Sequence, residues 1–499
     1  MNFAIIDWVI IVAYLVLCTS LGIIGKRYVG NVAHYLVAGR QLGLHLGIAT
    51  LAATEIGTVT FMYYAEFGYK AGFSAFAAAA ISGLVMIVIG RTGLIVNRLR
   101  ALDLMTVPEY FEVKYSRGLR VLTGVLVAVG GILNMGIFLR VEGQFLTIIS
   151  GINARHLVAV MTVILLLELV YTVLGGMVSV VITDFIQYVL LSVATILVSL
   201  YVVWFAGWHH MIDKVAGTMS DAGFNPLVNP RLGLTFIIWQ TLIWLAVPCW
   251  QTTAMRVFST KSPELSNKVM TWTGFIFLGR GMLPILWGIA ALTLFGGGMI
   301  GKDGVPLPIV HGQTLQPLEA MPAMLAQILG PGVRGVVVAG MLAATMSVNS
   351  SYLLSWSAVI SQDIIFPVRT ALGKKPLSSR KQILINRLAN LFVSLFVMFW
   401  GLYYQLPGPV YLYLEITGTI FLAGAFACVI GGLYWKRANI GGGYAAMLLG
   451  AAGAIIPYFF LHWNESVTGF SAFGLAAAGM MIGSLLWRRH PTEVQQAAA

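Results

Sequence analysis

The chain alternates long apolar runs with short polar clusters, and the runs do not alternate residue by residue as half-buried strands do. Thirteen runs stand out, at about 4–24, 44–68, 72–96, 119–149, 155–174, 177–206, 233–254, 270–298, 335–361, 384–405, 409–434, 441–462 and 468–487. Each is about as long as the twenty apolar residues that cross a bilayer as a helix. Backbone in lipid must satisfy its own hydrogen bonds, so the runs are helices. The pattern predicts an all-α polytopic membrane protein with thirteen transmembrane helices. Glu319 to Leu329, between two runs, reads as a short helix lying at the outer surface.

Composition supports this. Of 499 residues, 59% are hydrophobic, and only 30 Lys and Arg and 18 Asp and Glu are charged, too few to cover a water-soluble surface. Cys18, Cys249 and Cys428 fall in apolar runs, where thiols are inert, and the eight His show no metal-ligand spacing. A net charge of +12 would suggest nucleic acid in a soluble chain. Here the charge sorts by side. Alternate connections hold 22 Lys and Arg against 6 in the others, with Arg140 and Arg280 inside runs. That asymmetry places the N-terminus outside and the C-terminus in the cytoplasm. The partners are then the lipid bilayer and a small solute; neither nucleic acid nor an obligate protein partner is indicated, and short loops suit a bacterial inner membrane.

Ionisable residues inside spans are costly and read as functional. They are Glu55, Arg140, Glu142, Glu168, Asp184, Arg280 and Glu415. Glu168 and Arg280 read as span-end residues facing headgroups. Glu55 lies mid-span in Ala52-Ala53-Thr54-Glu55-Ile56-Gly57-Thr58-Val59-Thr60, where a glycine and three hydroxyls suit a broken helix. Pro248 interrupts a later span. Two interrupted spans, each followed by intact ones, are the mark of an inverted-repeat transporter. The ninth run, from Ala339 to Ser351, is rich in small and hydroxyl residues that pack helices or ligate a hard cation.

Five stretches then carry a resemblance. They are Tyr35-Leu36-Val37-Ala38-Gly39-Arg40, Thr106-Val107-Pro108-Glu109-Tyr110-Phe111, Gly175 to Gln187, the ninth run ending in Asp363-Ile364, and Tyr434 to Asn439. In this order they resemble the sodium/solute symporter family, the group of the sodium-glucose, sodium-proline and sodium-pantothenate carriers. The resemblance implies a leucine-transporter-like 5+5 inverted-repeat core. Residues 1–30 would form an extra N-terminal helix, 44–206 the first repeat and 233–434 the second. Residues 441–499 would form two C-terminal helices and a short cytoplasmic tail.

The resemblance also implies a Na⁺ site at Ala52, Glu55, Ala344, Ser347 and Val348. Two departures stand there: Val348 offers no oxygen where the family has a hydroxyl, and Glu55 stands where the family has an apolar side chain. Na⁺ would therefore be held by Ala52, Glu55, Ala344 and Ser347, with the Glu55 carboxylate replacing the lost hydroxyl. The alternative is a proton on Glu55 and H⁺ coupling. Asp184 matches the family residue near the inner ion exit, or caps a helix with Thr183. No other cofactor is expected.

Thr58, Val59, Arg140 and Gln144 are the substrate candidates. Arg140 suits a carboxylate through its bidentate fork, which points to an organic acid or amino acid, although Arg140 could instead pair with Glu142 or Glu55. The expected function is cation-coupled symport of a small polar solute by alternating access. A non-transporting sensor on the same fold is the rival of another class. An enzyme is not expected, because no nucleophile, base or metal constellation appears.

Overall fold

A computed structural model of the chain describes residues 3–25, 31–301, 304–404 and 408–487. Lys26, Arg27, Lys302, Arg488 and Arg489, which entered the charge count, and the expected C-terminal tail lie outside the described residues. Helices make up nearly all of the rest. One two-residue hairpin, Ile309–Val310 with Gln313–Thr314, sits in the long connection before the ninth run.

Every predicted run is helical, and the departures from straight helices are the informative part. The second run divides into Leu44–Glu55 and Thr58–Ala71, with Ile56 and Gly57 outside helical geometry. Ile56 ends the first half and Gly57 caps the start of the second, its N–H donating to Thr60 Oγ1 at 3.1 Å. The seventh run divides into Gly233–Ala246 and Gln251–Ser259, bent by 46° around Pro248, which lacks the N–H a continuous helix needs. Both interruptions fall where the glycine and the proline place them.

Leu157–Ala206 is broken at Gly176, where φ is +54°. A Cβ there would lie 2.5 Å from Tyr35 Cδ2 and 2.6 Å from the Tyr35 carbonyl. Only glycine allows both that backbone and that approach. Two of the five sequence stretches thus meet at one contact.

Among the described residues, nine helices are long and apolar enough to cross a membrane, or ten if the bent pair counts as one span. Ile5–Leu21 and Leu157–Leu169 are shorter apolar helices. Pro317–Ile328 does form a helix at the expected outer segment, but residues 320–325 are buried. It packs against Thr58–Ala71 and Phe138–Ser150 instead of lying exposed. The Val333–Val359 helix is buried over most of its length and packs on both Leu157–Ala206 and Ser379–Tyr403. The three cysteines are buried and unpaired.

Candidate functional site

A cavity opens where the broken second run faces the bend of the seventh. Its wall includes Glu55, Gly57 and Thr60 from the first break, Trp250 from the second, and Arg280, Tyr352 and Glu415 from neighbouring helices. The breaks explain the placement, because each ends a helix inside the protein and leaves carbonyls without intrahelical partners. Those of residues 52–55 end the Leu44–Glu55 helix, and the Thr60 hydroxyl donates to the Glu55 carbonyl at 3.3 Å.

Glu55 turns its carboxylate toward the second break. Its Oε1 accepts hydrogen bonds from Thr252 at 2.9 Å and Thr253 at 3.2 Å. Arg280, buried rather than facing headgroups, donates from Nη2 to the Tyr63 hydroxyl at 3.0 Å. Its guanidinium lies 4.5 Å from the centre of the Phe277 ring and 5.5 Å from that of Trp244. Its Nε and Nη1 are buried and have no hydrogen-bond partner. Among the described residues it makes no ion pair within 4 Å.

Above the cavity, Tyr63, Tyr64, Phe67, Phe236 and Tyr411 form a cluster of rings with centroids 4.6–6.4 Å apart. Tyr63 lines this cavity and also a second one, which holds Glu66, Lys70 and Arg231. Tyr63 is thus shared by the walls of the two spaces, and Phe67 and Tyr411 join it on the second.

Next to the first break lies a second polar cluster. Asp184 is buried and accepts from Thr50 Oγ1 and Ser347 Oγ, each at 2.6 Å. Arg256 Nη2 stands 3.8 Å from Asp184 and also donates to Ser351. Arg256 was counted with the cytoplasmic connections; the structure buries it completely, in the second half of the bent helix. The Thr54 and Ser351 hydroxyls lie 3.2 Å apart. Asp184 and Ser347 are thus brought together, and Asp184 takes part in tertiary contacts rather than in a local cap.

The remaining candidates divide. Glu55, Val59 and Val348 line the cavity; Thr58, Arg140, Gln144, Asp184, Ala52, Ala344 and Ser347 do not. Arg140 reaches the Tyr404 carbonyl at 3.1 Å and pairs with neither Glu142 nor Glu55 among the described residues. Thr58 donates to the Met341 carbonyl at 2.6 Å. Val348 packs on the first break: a Cβ on Gly57 would meet its Cγ2 at 2.9 Å. Sequence reasoning named Arg280 and Glu415 as charges inside spans but read Arg280 as a span-end residue and gave Glu415 no role; Thr252 and Thr253 it passed over. The signal for Arg280 was present, a charge inside an apolar run, and the structure buries it midway along the Pro263–Phe295 helix.

Two interrupted helices around a buried cavity, in a nearly all-helical chain, are the architecture of the leucine-transporter-like fold of secondary transporters. The model of the sodium:solute symporter family matches residues 35–450. The chain belongs to that family. It is 25% identical over 494 residues to a sodium/proline symporter of Staphylococcus aureus strain Newman, covering 94% of this chain and 88% of that one. A solved structure of a Na⁺-coupled sialic acid symporter superposes with a TM-score of 0.79 at 19% identity, covering 98% of this chain and 99% of the other. The transporter MhsT in complex with L-phenylalanine superposes with a TM-score of 0.54 at 14% identity, covering 89% and 98%. The chain is therefore a multi-pass membrane protein that carries out Na⁺-coupled symport.

Proposed function

We propose that the carried solute is a small amino acid or related organic acid, with its carboxylate held by Arg280. The observation that carries this reading is the unpartnered Nε and Nη1 of a buried arginine on the cavity wall. A buried guanidinium with open N–H groups is costly, and a carboxylate matches that fork. Glu55 and Glu415 on the same wall suit the ammonium of a zwitterion. The relative named as a proline symporter fits this chemistry. Arg280 takes the role first considered for Arg140, whose guanidinium is spent on a carbonyl.

For sodium, the candidate ligands are the carbonyls of Ala52 and Glu55, freed by the break, and Ala344 and Ser347 on the facing helix. The oxygen set suits a hard cation. The Ser347 hydroxyl donates its proton to Asp184 and so keeps lone pairs for a cation. Val348 contributes packing and no oxygen. The Glu55 carboxylate is directed to Thr252 and Thr253, so it is assigned to the cavity rather than to the vacant Val348 position. We assign the repeats to 44–206 and 233–434, each opening with one of the two interrupted helices, with thirteen crossings in all.

The test is uptake of labelled amino acids, monocarboxylates and sugars into proteoliposomes under an imposed Na⁺ gradient. An amino acid or carboxylate should accumulate, and Na⁺ removal should stop it. Accumulation of neutral sugars alone would reject the assignment of Arg280.

A further inference from the structure

Away from the cavity, two carboxylates meet with no cation between them. Glu142, on Phe138–Ser150, and Glu168, in the first half of Leu157–Ala206, are 1% and 0% exposed. Asn349, on Val333–Val359, joins them. Its Nδ2 donates to Glu142 Oε2 at 2.9 Å and to Glu168 Oε1 at 3.0 Å. The amide nitrogen has only two hydrogens, so both are used. The two carboxylate oxygens are therefore no more than about 6 Å apart, the sum of the two bonds.

The remaining atoms of this junction are unsatisfied. Glu142 Oε1, Glu168 Oε2 and Asn349 Oδ1 are buried without partners. An independent group adds to them: Thr172 Oγ1, buried and without any partner. Thr172 stands four residues after Glu168 and so on the same helix face, one turn along.

Among the described residues, no basic side chain forms an ion pair with either carboxylate. Each carboxylate has the other as its charged neighbour. The ionisable groups on the surrounding helices are engaged elsewhere. Arg140 is on the Tyr404 carbonyl, Arg280 on Tyr63, Arg387 at Tyr35, Arg334 on the Leu329 carbonyl, and Glu66 with Lys70. Asp7 accepts from the Gly332 and Gly335 amides, Glu55 from Thr252 and Thr253, and Asp184 from Thr50 and Ser347. Two adjacent carboxylates buried in a low-dielectric interior do not both stay ionised without compensation.

We propose that Glu142 and Glu168 together bind one proton, at a site separate from the sodium ligands. The proton resides on one carboxyl and shuttles between the two; it satisfies an orphan oxygen and leaves one negative charge for the Asn349 amide to stabilise. The pair is linked to the transport machinery. Thr345, one helical turn before Asn349, lies against Glu142, and its hydroxyl donates to Thr58 Oγ1 at 2.9 Å. Thr58 opens the helix after the first break. Loss of the proton would thus be felt at that break, and transport would become pH-dependent although sodium drives it.

The experiment is infrared difference spectroscopy of the purified full-length protein in detergent, sodium-free, titrated from neutral to alkaline pH. Wild type should show one protonated-carboxyl band that disappears on titration, and Glu142→Gln with Glu168→Gln should lack it. Glutamine mimics a protonated carboxyl, so Glu168→Gln alone should fold and should flatten the pH dependence of thermal stability. If the double variant fails to fold, the single variant decides by the same band and the same flattening. A band unchanged in Glu168→Gln and in Glu142→Gln, or no band in sodium-free wild type, overturns the proposal. A band that appears only on removing Na⁺ would make the pair a sodium site and overturn it equally.

Discussion

Arg120 and Arg280 are both guanidiniums on helices of an apolar chain, yet their surroundings differ. Arg120 is saturated in the sense that each of its three guanidinium nitrogens has an acceptor. It bonds Asp363 at 2.8 Å, Glu112 at 2.7 Å, Glu109 at 3.2 Å and the Gln362 carbonyl at 3.0 Å. Thr106 bonds the same Asp363 oxygen at 2.8 Å. This network ties two of the five sequence stretches together, on the side that the charge count assigns to the cytoplasm. Arg280 has one hydroxyl partner and rings around it, and two of its nitrogens are left open. The difference separates a charge that holds helices together from one that, on the proposed function, is kept ready for a ligand.

Breaking the saturated network should give the largest effect. Arg120→Ala leaves the buried Asp363 carboxylate without its cation, which costs about 3–5 kcal/mol. Thermal unfolding of the ligand-free protein should show it, while the folded fraction keeps its affinity for solute. Weaker affinity with unchanged stability would make Arg120 part of the binding machinery instead. The open arginine should behave in the opposite way. Arg280→Lys keeps the charge and loses the fork, so solute affinity should fall by roughly thirtyfold, about 2 kcal/mol. Binding calorimetry checks this, and an unaltered dissociation constant would remove Arg280 from the site.

The same contrast shows what the sequence made legible. Both interruptions were readable, because Gly57 and Pro248 act through their own backbone chemistry. The motifs were readable too, and the structure explains two pairings: Gly176 against Tyr35, and Thr106 against Asp363. The choice between Arg140 and Arg280 was not. Both are lone charges in apolar runs, and which one is spent on a carbonyl depends on where Tyr404 lies, 264 residues along the chain from Arg140. The burial of Arg256 was hidden for a related reason. A basic residue at the end of a run reads as a loop charge unless the bend that carries it inward is known.

Ser347 sits between the two extremes, since its hydroxyl proton is spent and its lone pairs are not. Ser347→Ala removes one oxygen from the proposed sodium ligands and one donor from Asp184. A loss of about 1 kcal/mol should raise the sodium concentration for half-maximal uptake roughly fivefold. Maximal uptake at saturating sodium should change less. A requirement that does not move would place sodium elsewhere.

The smallest effect belongs to the most exposed partner of the saturated arginine. Partial burial pushes the Glu112 carboxyl up, but hydrogen bonds from Arg120 and Arg117 outweigh this and hold it below its usual value. A group depressed in the folded state stabilises above its unfolded value, and that contribution is lost as pH falls through the folded one. The Glu112 side chain is 27% exposed, so solvent screens the pair and the contribution is about 0.5–1 kcal/mol at most. Glu112→Gln should therefore be slightly less stable than wild type at neutral pH, and the gap should close in acid. Thermal unfolding along a pH series measures it. A gap that widens in acid would mean that Glu112 is not held as an anion. A loss as large as that of Arg120→Ala would mean that the network fails when any one partner leaves, so that Arg120 would not be saturated after all.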